Sequence, residues 1–140
     1  MRVPYRLKVE YQGVSLYLYS IGWIALYSRK GRSTLKRWEQ RGVLPKPLLN
    51  LDGKNHRLYT SREILEYSTI IRSSNSVSGR KTDYDSLSQA FTMKRLKIIE
   101  TSENNPSALS VALPGEDNVL QEFSMQRENT TRKAYEKEKS

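Results

Sequence analysis

The sequence contains no cysteine and a single histidine among its 140 residues. The absence of cysteine excludes disulfide bonds, thiolate zinc sites and cysteine nucleophiles. The one histidine, His56, has no neighbouring set of metal ligands, so a metal site is improbable. We therefore expect no cofactor and no bound metal ion.

Long apolar runs are also missing from the chain. The longest extends from about Ile21 to Tyr27, far short of the roughly 20 apolar residues that a membrane-spanning helix needs. The first six residues lack the apolar segment of a signal peptide. These absences predict no membrane partner and a cytoplasmic, nucleoid-associated location.

Residue combinations that carry out catalysis are not evident either. The sequence has no glycine-rich phosphate loop, no paired carboxylates on one face and no Ser, His and Asp set. We therefore expect that the protein is not an enzyme.

Positive charge is concentrated in the first part of the chain. Residues 1–82 carry 16 Lys and Arg against 5 Asp and Glu, whereas residues 83–140 carry 8 against 10. The basic part favours an anionic partner, although such a charge is also common on a merely solubilising surface. The mean hydropathy of −0.72 predicts a compact part joined to a loosely ordered part.

Two strands are predicted at the N-terminal end of the chain. Apolar and polar residues alternate over residues 3–11, which is typical of a half-buried strand. Gln12-Gly13 can turn the chain into a second strand-like run from Val14 to Tyr19. We interpret residues 1–18 as a hairpin extension.

A helix-break-helix pattern follows this hairpin. Ser20 is a candidate N-cap for a helix that extends to about Tyr27, and residues 28–32 break the pattern. A second helix is predicted over Thr34 to Gln40, with Leu35 and Trp38 pointing inward. Gly42 suits the left-handed position that ends a helix.

A looped wing and a third helix are predicted next. Asp52-Gly53 is a hairpin signal, so residues 48–51 and 56–59 are expected to pair as a short ribbon. Thr60 or Ser61 is expected to cap the third helix, together with Glu63.

The remaining residues divide into three predicted segments. Residues 73–82 form a Ser-rich linker, and residues 83–100 form a possible helix that Asp83 or Asp85 caps. Residues 101–140 have few large apolar groups and are expected to be a flexible tail.

In this order, residues 19–71 resemble the winged-helix DNA-binding domain of the MerR type, which excisionases and some small terminase subunits of phages share. The resemblance implies a mainly α fold with a small β wing, in which residues 19–72 form a winged helix-turn-helix head. The residues that carry it are Tyr19-Ser20-Ile21, Ala25, Thr34-Leu35-Lys36-Arg37-Trp38-Glu39, Gly42-Val43-Leu44-Pro45, Arg57-Leu58-Tyr59 and Thr60-Ser61-Arg62-Glu63-Ile64.

The chain departs from the family in two places. The family has a glycine and then an apolar residue in the turn, where this chain has Arg29 and Lys30. MerR regulators continue into a long coiled-coil helix, whereas here the Ser-rich linker follows. An effector-sensing transcription activator is therefore not expected.

The predicted function is sequence-selective binding of double-stranded DNA, as a transcription regulator or as a DNA-recognition factor of a phage or mobile element. Thr34, Lys36 and Arg37 can donate to base edges in the major groove. The other predicted contacts are mainly to the backbone. They are Arg29, Lys30, Arg32, Ser33 and Arg41 around the two helices, and Lys54, His56, Arg57 and Tyr59 on the wing.

An alternative function remains open on sequence alone. The helix-turn-helix module can instead pack on protein, as an assembly or adaptor factor in a nucleoprotein complex, with Trp23 and the N-terminal hairpin as contacts. Trp38 can stack on a base, although its position beside Leu35 favours a core role. Residues 84–140 are the candidate surface for dimerisation or for a larger complex.

Overall fold

The structure, a computed structural model, describes residues 6–49, 58–75 and 83–121. None of the helices in these ranges is long and apolar enough to cross a membrane. The elements in chain order are β1 (Arg6–Tyr11), β2 (Val14–Ser20), α1 (Ile21–Ser28), α2 (Arg32–Gln40), β3 (Leu58–Thr60), α3 (Ser61–Asn75), α4 (Tyr84–Glu103) and a short 3₁₀ helix, Pro106–Leu109. A last helical stretch covers 116–121.

The three strands form one antiparallel sheet in the order β1-β2-β3. The predicted N-terminal hairpin is confirmed, and its turn residues Gln12 and Gly13 have the positive φ angles, 49° and 83°, that a tight hairpin requires. On its other side β2 pairs with β3, which places Leu18 opposite Thr60. The hairpin is therefore part of the main sheet.

This sheet bears on two predictions. Within the described residues the fold is mixed α/β, with a three-stranded sheet and helices α1 to α4, so the sheet is larger than the small β wing that was predicted beside the helices. In the part of the predicted ribbon that the structure describes, Leu48 and Leu49 lie outside any strand and Leu58 pairs with Ser20. Residues 50–57, the rest of the predicted wing, lie outside the described ranges.

The predicted helix-break-helix pattern corresponds to α1 and α2. Helix α2 begins at Arg32, two residues before the predicted start, so that Arg32 and Ser33 lie in its first turn and Gly31 is the N-cap. Gly42 adopts φ +78° as predicted. The Val43 amide donates to the Trp38 carbonyl at 2.8 Å and the Gly42 amide to the Glu39 carbonyl at 3.1 Å, which is the Schellman motif.

One hydrophobic core joins all four α-helices to the sheet. Trp23 from α1 and Leu35 from α2 are fully buried beside Tyr67 of α3 and Phe91 of α4. The Tyr67 and Phe91 rings meet edge to face, with 5.5 Å between their centroids. Helix α4, which Asp83 caps through the Ser86 amide, is therefore built into the core instead of projecting from it.

The chain after α4 also packs on this body. Leu109 and Leu113 are buried, the Val111 amide donates to the Ser61 hydroxyl at 2.8 Å, and Glu116 pairs with Arg6 at 3.0 Å. The expectation of a flexible tail from residue 101 is thus wrong for residues 101–121. A few apolar side chains hold this segment in place, because they are buried against the sheet and α3.

Candidate nucleic-acid interface

Helix α2 has one buried side and one solvated side. Leu35, Trp38 and Glu39, spaced i, i+3 and i+4, are buried against the rest of the molecule. The opposite side must therefore face solvent. We name five of the exposed residues of this helix and its two ends the basic surface: Arg29, Ser33, Lys36, Arg37 and Arg41.

The basic surface carries no accessible negative charge within α2. Glu39, the sole acid between Arg29 and Lys46, is buried and accepts a hydrogen bond from the Tyr59 hydroxyl at 3.0 Å. The exposed cations of α2 thus have no acidic neighbour on their own helix to neutralise them. Such an arrangement attracts a polyanion.

Arg37 and Thr34 are adjacent on this helix. The Arg37 guanidinium lies 3.5 Å from the Thr34 hydroxyl, one turn away. Lys36 and Arg37 are exposed, whereas Thr34 is half-buried. Both basic side chains are long enough to reach past the helix surface, so the predicted base-reading pair is accessible and Thr34 is less so.

The turn between α1 and α2 places its two cations, Arg29 and Lys30, differently. Arg29 ends α1 in the left-handed conformation, φ +61°, and is exposed. The Lys30 ammonium lies 5.8 Å from the centroid of the Trp38 ring, a cation–π contact that holds it over the core. Because Arg29 is exposed, its side chain can reach outward to a phosphate. Lys30 is half-buried and less able to do so.

Arg32 lies back along α1, where Gly22 leaves room for it. A Cβ atom at Gly22 would lie 2.5 Å from an Arg32 guanidinium nitrogen, so any larger residue there would displace the arginine. Sequence reasoning missed this role of Gly22. An isolated glycine inside a helical pattern was the available signal, since it costs about 1 kcal/mol relative to alanine and usually has a packing reason.

Tyr59 was predicted to contact DNA, and this prediction is wrong. The residue is fully buried, and its hydroxyl lies within hydrogen-bond distance of Glu39, at 3.0 Å, and of the Pro45 carbonyl, at 3.2 Å. Burial and the Glu39 carboxylate both raise the pKa of Tyr59. The other predicted wing contacts, Lys54, His56 and Arg57, lie outside the described residues.

Both tryptophans belong to the core. Trp38 is 5% exposed and Trp23 is fully buried, where the Tyr19 ring meets it edge to face with centroids 5.1 Å apart. Neither indole is available to stack on a base. The core role that Leu35 favoured for Trp38 is confirmed.

A capping box at the start of α3 anchors the segment that leads into the predicted wing. Glu63 accepts from the Thr60 amide at 3.0 Å, and the Thr60 hydroxyl accepts from the Glu63 amide at 3.2 Å. The second Glu63 oxygen accepts from the Leu48 amide at 3.2 Å. Burial raises the pKa of Glu63 to about 7 although these hydrogen bonds act to lower it.

No protein family, curated protein or solved structure matches the chain. The interpretation of the basic surface thus depends on its own geometry. Among the residues that the structure describes, no group of three His, Asp or Glu side chains is placed to hold a metal ion.

Proposed function

We propose that the protein binds double-stranded DNA through the basic surface of α2. The observation that carries the proposal is the separation of the two sides of this helix. Leu35 and Trp38 fix its inner side in the core, while the outer side offers Lys36 and Arg37 to solvent. A helix that is held in this way from behind can enter a major groove.

In the proposed complex the residues of the basic surface have two roles. Arg37 and Lys36 contact base edges, where arginine can donate two hydrogen bonds to guanine. Arg29 and Arg41, at the two ends of the helices, contact phosphates and set the register of the protein on the duplex. The turn and the cap at Gly42 position these end residues.

The MerR-like winged helix remains part of this proposal. Its supports are the turn of three residues between α1 and α2, and the pairing of β2 with the strand that enters α3. A transcription regulator, an excisionase-like factor and a packaging-site reader would share these features. The location in the nucleoid is proposed with the same function.

A salt titration of duplex binding tests the proposal. We expect Arg37→Ala to weaken binding to the selected site by about 1–3 kcal/mol and to reduce the preference for that site over other sequences, whereas Arg29→Ala, which removes a proposed phosphate contact, should lower the slope of log K against log salt by about 1. Arg72→Ala, which removes an exposed arginine from α3, is the matched control and should bind as the unchanged protein does. Unchanged binding by Arg37→Ala would exclude α2 as the reading helix.

The adaptor alternative loses one of its two supports. Trp23 was its proposed protein contact, and this side chain is fully buried. A protein contact is instead favoured by α4, where Met93 is 71% exposed and Leu96 is 59% exposed one turn later. Selection from random DNA tests whether a second copy of the chain is that partner, because a dimer would return a palindromic site.

A further inference from the structure

A second positively charged feature lies away from α2, between α3, α4 and the 3₁₀ helix. It is a cleft of about 270 Å³. That volume is slightly below the range of about 300–1,000 Å³ that is usual for drug-sized ligands, so it suits a small group. Its lining includes Arg62, Glu66, Lys94, Lys97, Ile98 and Thr101.

The arginine of the cleft is held in place from behind. Arg62 Nε donates to the Ala108 carbonyl at 3.0 Å, which ties the guanidinium of α3 to the 3₁₀ helix. Arg62 Nη1 lies 3.6 Å from Glu66, a distance that is too long for a hydrogen bond. The guanidinium is thus positioned while its terminal nitrogens keep donors to offer.

The charges of the cleft do not balance. Glu66 is the one carboxylate among the described residues that line the cleft. It lies 3.4 Å from Lys94 and 3.6 Å from Arg62, so it is shared by two loose ion pairs. Lys97 is exposed and has no ion pair with another residue that the structure describes. Three cations therefore face one carboxylate, which leaves two positive charges in excess.

We infer that this cleft binds one phosphate group. A phosphate monoester carries about 1.5 to 2 negative charges near pH 7, which matches the excess. Arginine and lysine donors from two helices converge on the cleft, and such charge-assisted hydrogen bonds are among the strongest that a phosphate can accept. The buried Ile98 forms an apolar part of its wall.

The test is a titration of the full chain with inorganic phosphate, followed by backbone amide NMR shifts, with chloride at matched ionic strength as reference. Phosphate should shift amides of α3 and α4 around the cleft. Lys97→Gln should weaken binding several-fold, because it removes a donor that has no ion pair with any residue that the structure describes. Glu66→Gln should tighten binding, because it removes the one repelling carboxylate.

Lys8→Gln, which removes an exposed lysine from β1, is the matched control and should leave the phosphate affinity unchanged. The inference is overturned if phosphate shifts no amide of the cleft, or if Lys97→Gln and Lys8→Gln have equal effects. Either result would show that phosphate only screens positive charge in general and does not bind in the cleft. Lys97 is exposed, so its replacement is not expected to disturb folding.

A second arm identifies the source of the phosphate. If Lys97→Gln binds duplex DNA with unchanged affinity and salt slope, the cleft takes a free phosphate or a small phosphate monoester. If the salt slope falls by about 1, the cleft takes a backbone phosphate of the duplex. Loss of phosphate binding leaves the Arg37 dependence of DNA binding untouched, so the two proposals fail separately.

Discussion

The single residue with the most unusual backbone at the proposed interface is Arg29. A non-glycine residue in the left-handed region costs roughly 1–2 kcal/mol, and Arg29 has φ +61°. The chain therefore keeps an exposed cation at this position at the expense of stability. Arg29 at the end of α1 and Gly42 after α2 both have positive φ angles.

Replacing Arg29 should separate stability from binding. We expect Arg29→Gly to raise the free energy of unfolding by up to about 1 kcal/mol, because glycine adopts this φ without strain. The same change should weaken DNA binding, because it removes a cation that is proposed to contact a phosphate. Urea unfolding and a binding titration measure the two effects. Lys30→Gly, at a residue without positive φ, should instead lower stability.

Glu63 gives a second prediction at this scale, which concerns pH. Its pKa is raised from 4.5 to about 7 in the folded protein. Between these values the folded state holds a proton that the unfolded state has released. The contribution of Glu63 to stability therefore falls as pH rises from 4.5 to 7, by at most about 3 kcal/mol, and is constant above that range.

The measurement is urea unfolding at several pH values for the unchanged protein and for Glu63→Gln. At each pH, the free energy of unfolding of the variant is subtracted from that of the unchanged protein. This difference should decrease as pH rises from 5 to 7. Glu66→Gln is the control, because that carboxylate is 24% exposed. A difference that is flat with pH would mean that Glu63 stays ionised in the folded state.

At the scale of the element, the two glycines beside α2 have different functions. Gly31 precedes the helix with φ −69°, and a Cβ there would have no neighbour closer than 3.9 Å. Gly42 follows the helix with φ +78° and open space around it. Only Gly42 is required by its backbone conformation.

This difference predicts unequal effects of the same substitution. Gly42→Ala should lower the free energy of unfolding by about 1 kcal/mol, because alanine is strained at positive φ and the Schellman end is weakened. Gly31→Ala should change it by less than about 0.5 kcal/mol. Thermal or urea unfolding checks both. Equal effects would show that the cap contributes nothing specific.

Much of this element could be predicted from local sequence. The spacing of Leu35 and Trp38 predicted the inner side of α2, and Gly42 predicted its end. The position of Arg32 could not be predicted, because it depends on the missing Cβ of Gly22 in the neighbouring helix. Tyr59 was misplaced for a similar reason: its partners Glu39 and Pro45 are distant in sequence.

At the scale of the whole molecule, the core extends further along the chain than the composition indicated. Leu113 belongs to the same buried cluster as Trp23 and Phe91. The Tyr19 hydroxyl and Arg6 both reach Glu116, and the Tyr27 hydroxyl donates to the Pro114 carbonyl at 2.7 Å. Residues 113–116 therefore contact both the sheet and α1 and link these two elements.

The packing of this segment can be tested by truncating one side chain. Leu113→Ala should lower the free energy of unfolding by about 2–4 kcal/mol, since it leaves a cavity in the core. Leu26→Ala is the matched control at an exposed leucine of α1 and should change stability by about 0.5 kcal/mol or less. A small effect at Leu113 would favour the originally predicted flexible tail.

The sequence by itself determined the local elements: the N-terminal hairpin, both helices of the helix-break-helix pattern, the capping box and the concentration of positive charge before residue 83. These follow from periodicity, caps and turns, which act over a few residues. Tertiary structure decided which side of α2 stays in solvent, why Tyr59 and the one acid of that helix, Glu39, are buried, and that β3 joins the hairpin in one sheet. It also brought Arg62 and Lys97 to one cleft. Such outcomes depend on contacts between residues far apart in the chain, and no local pattern records them.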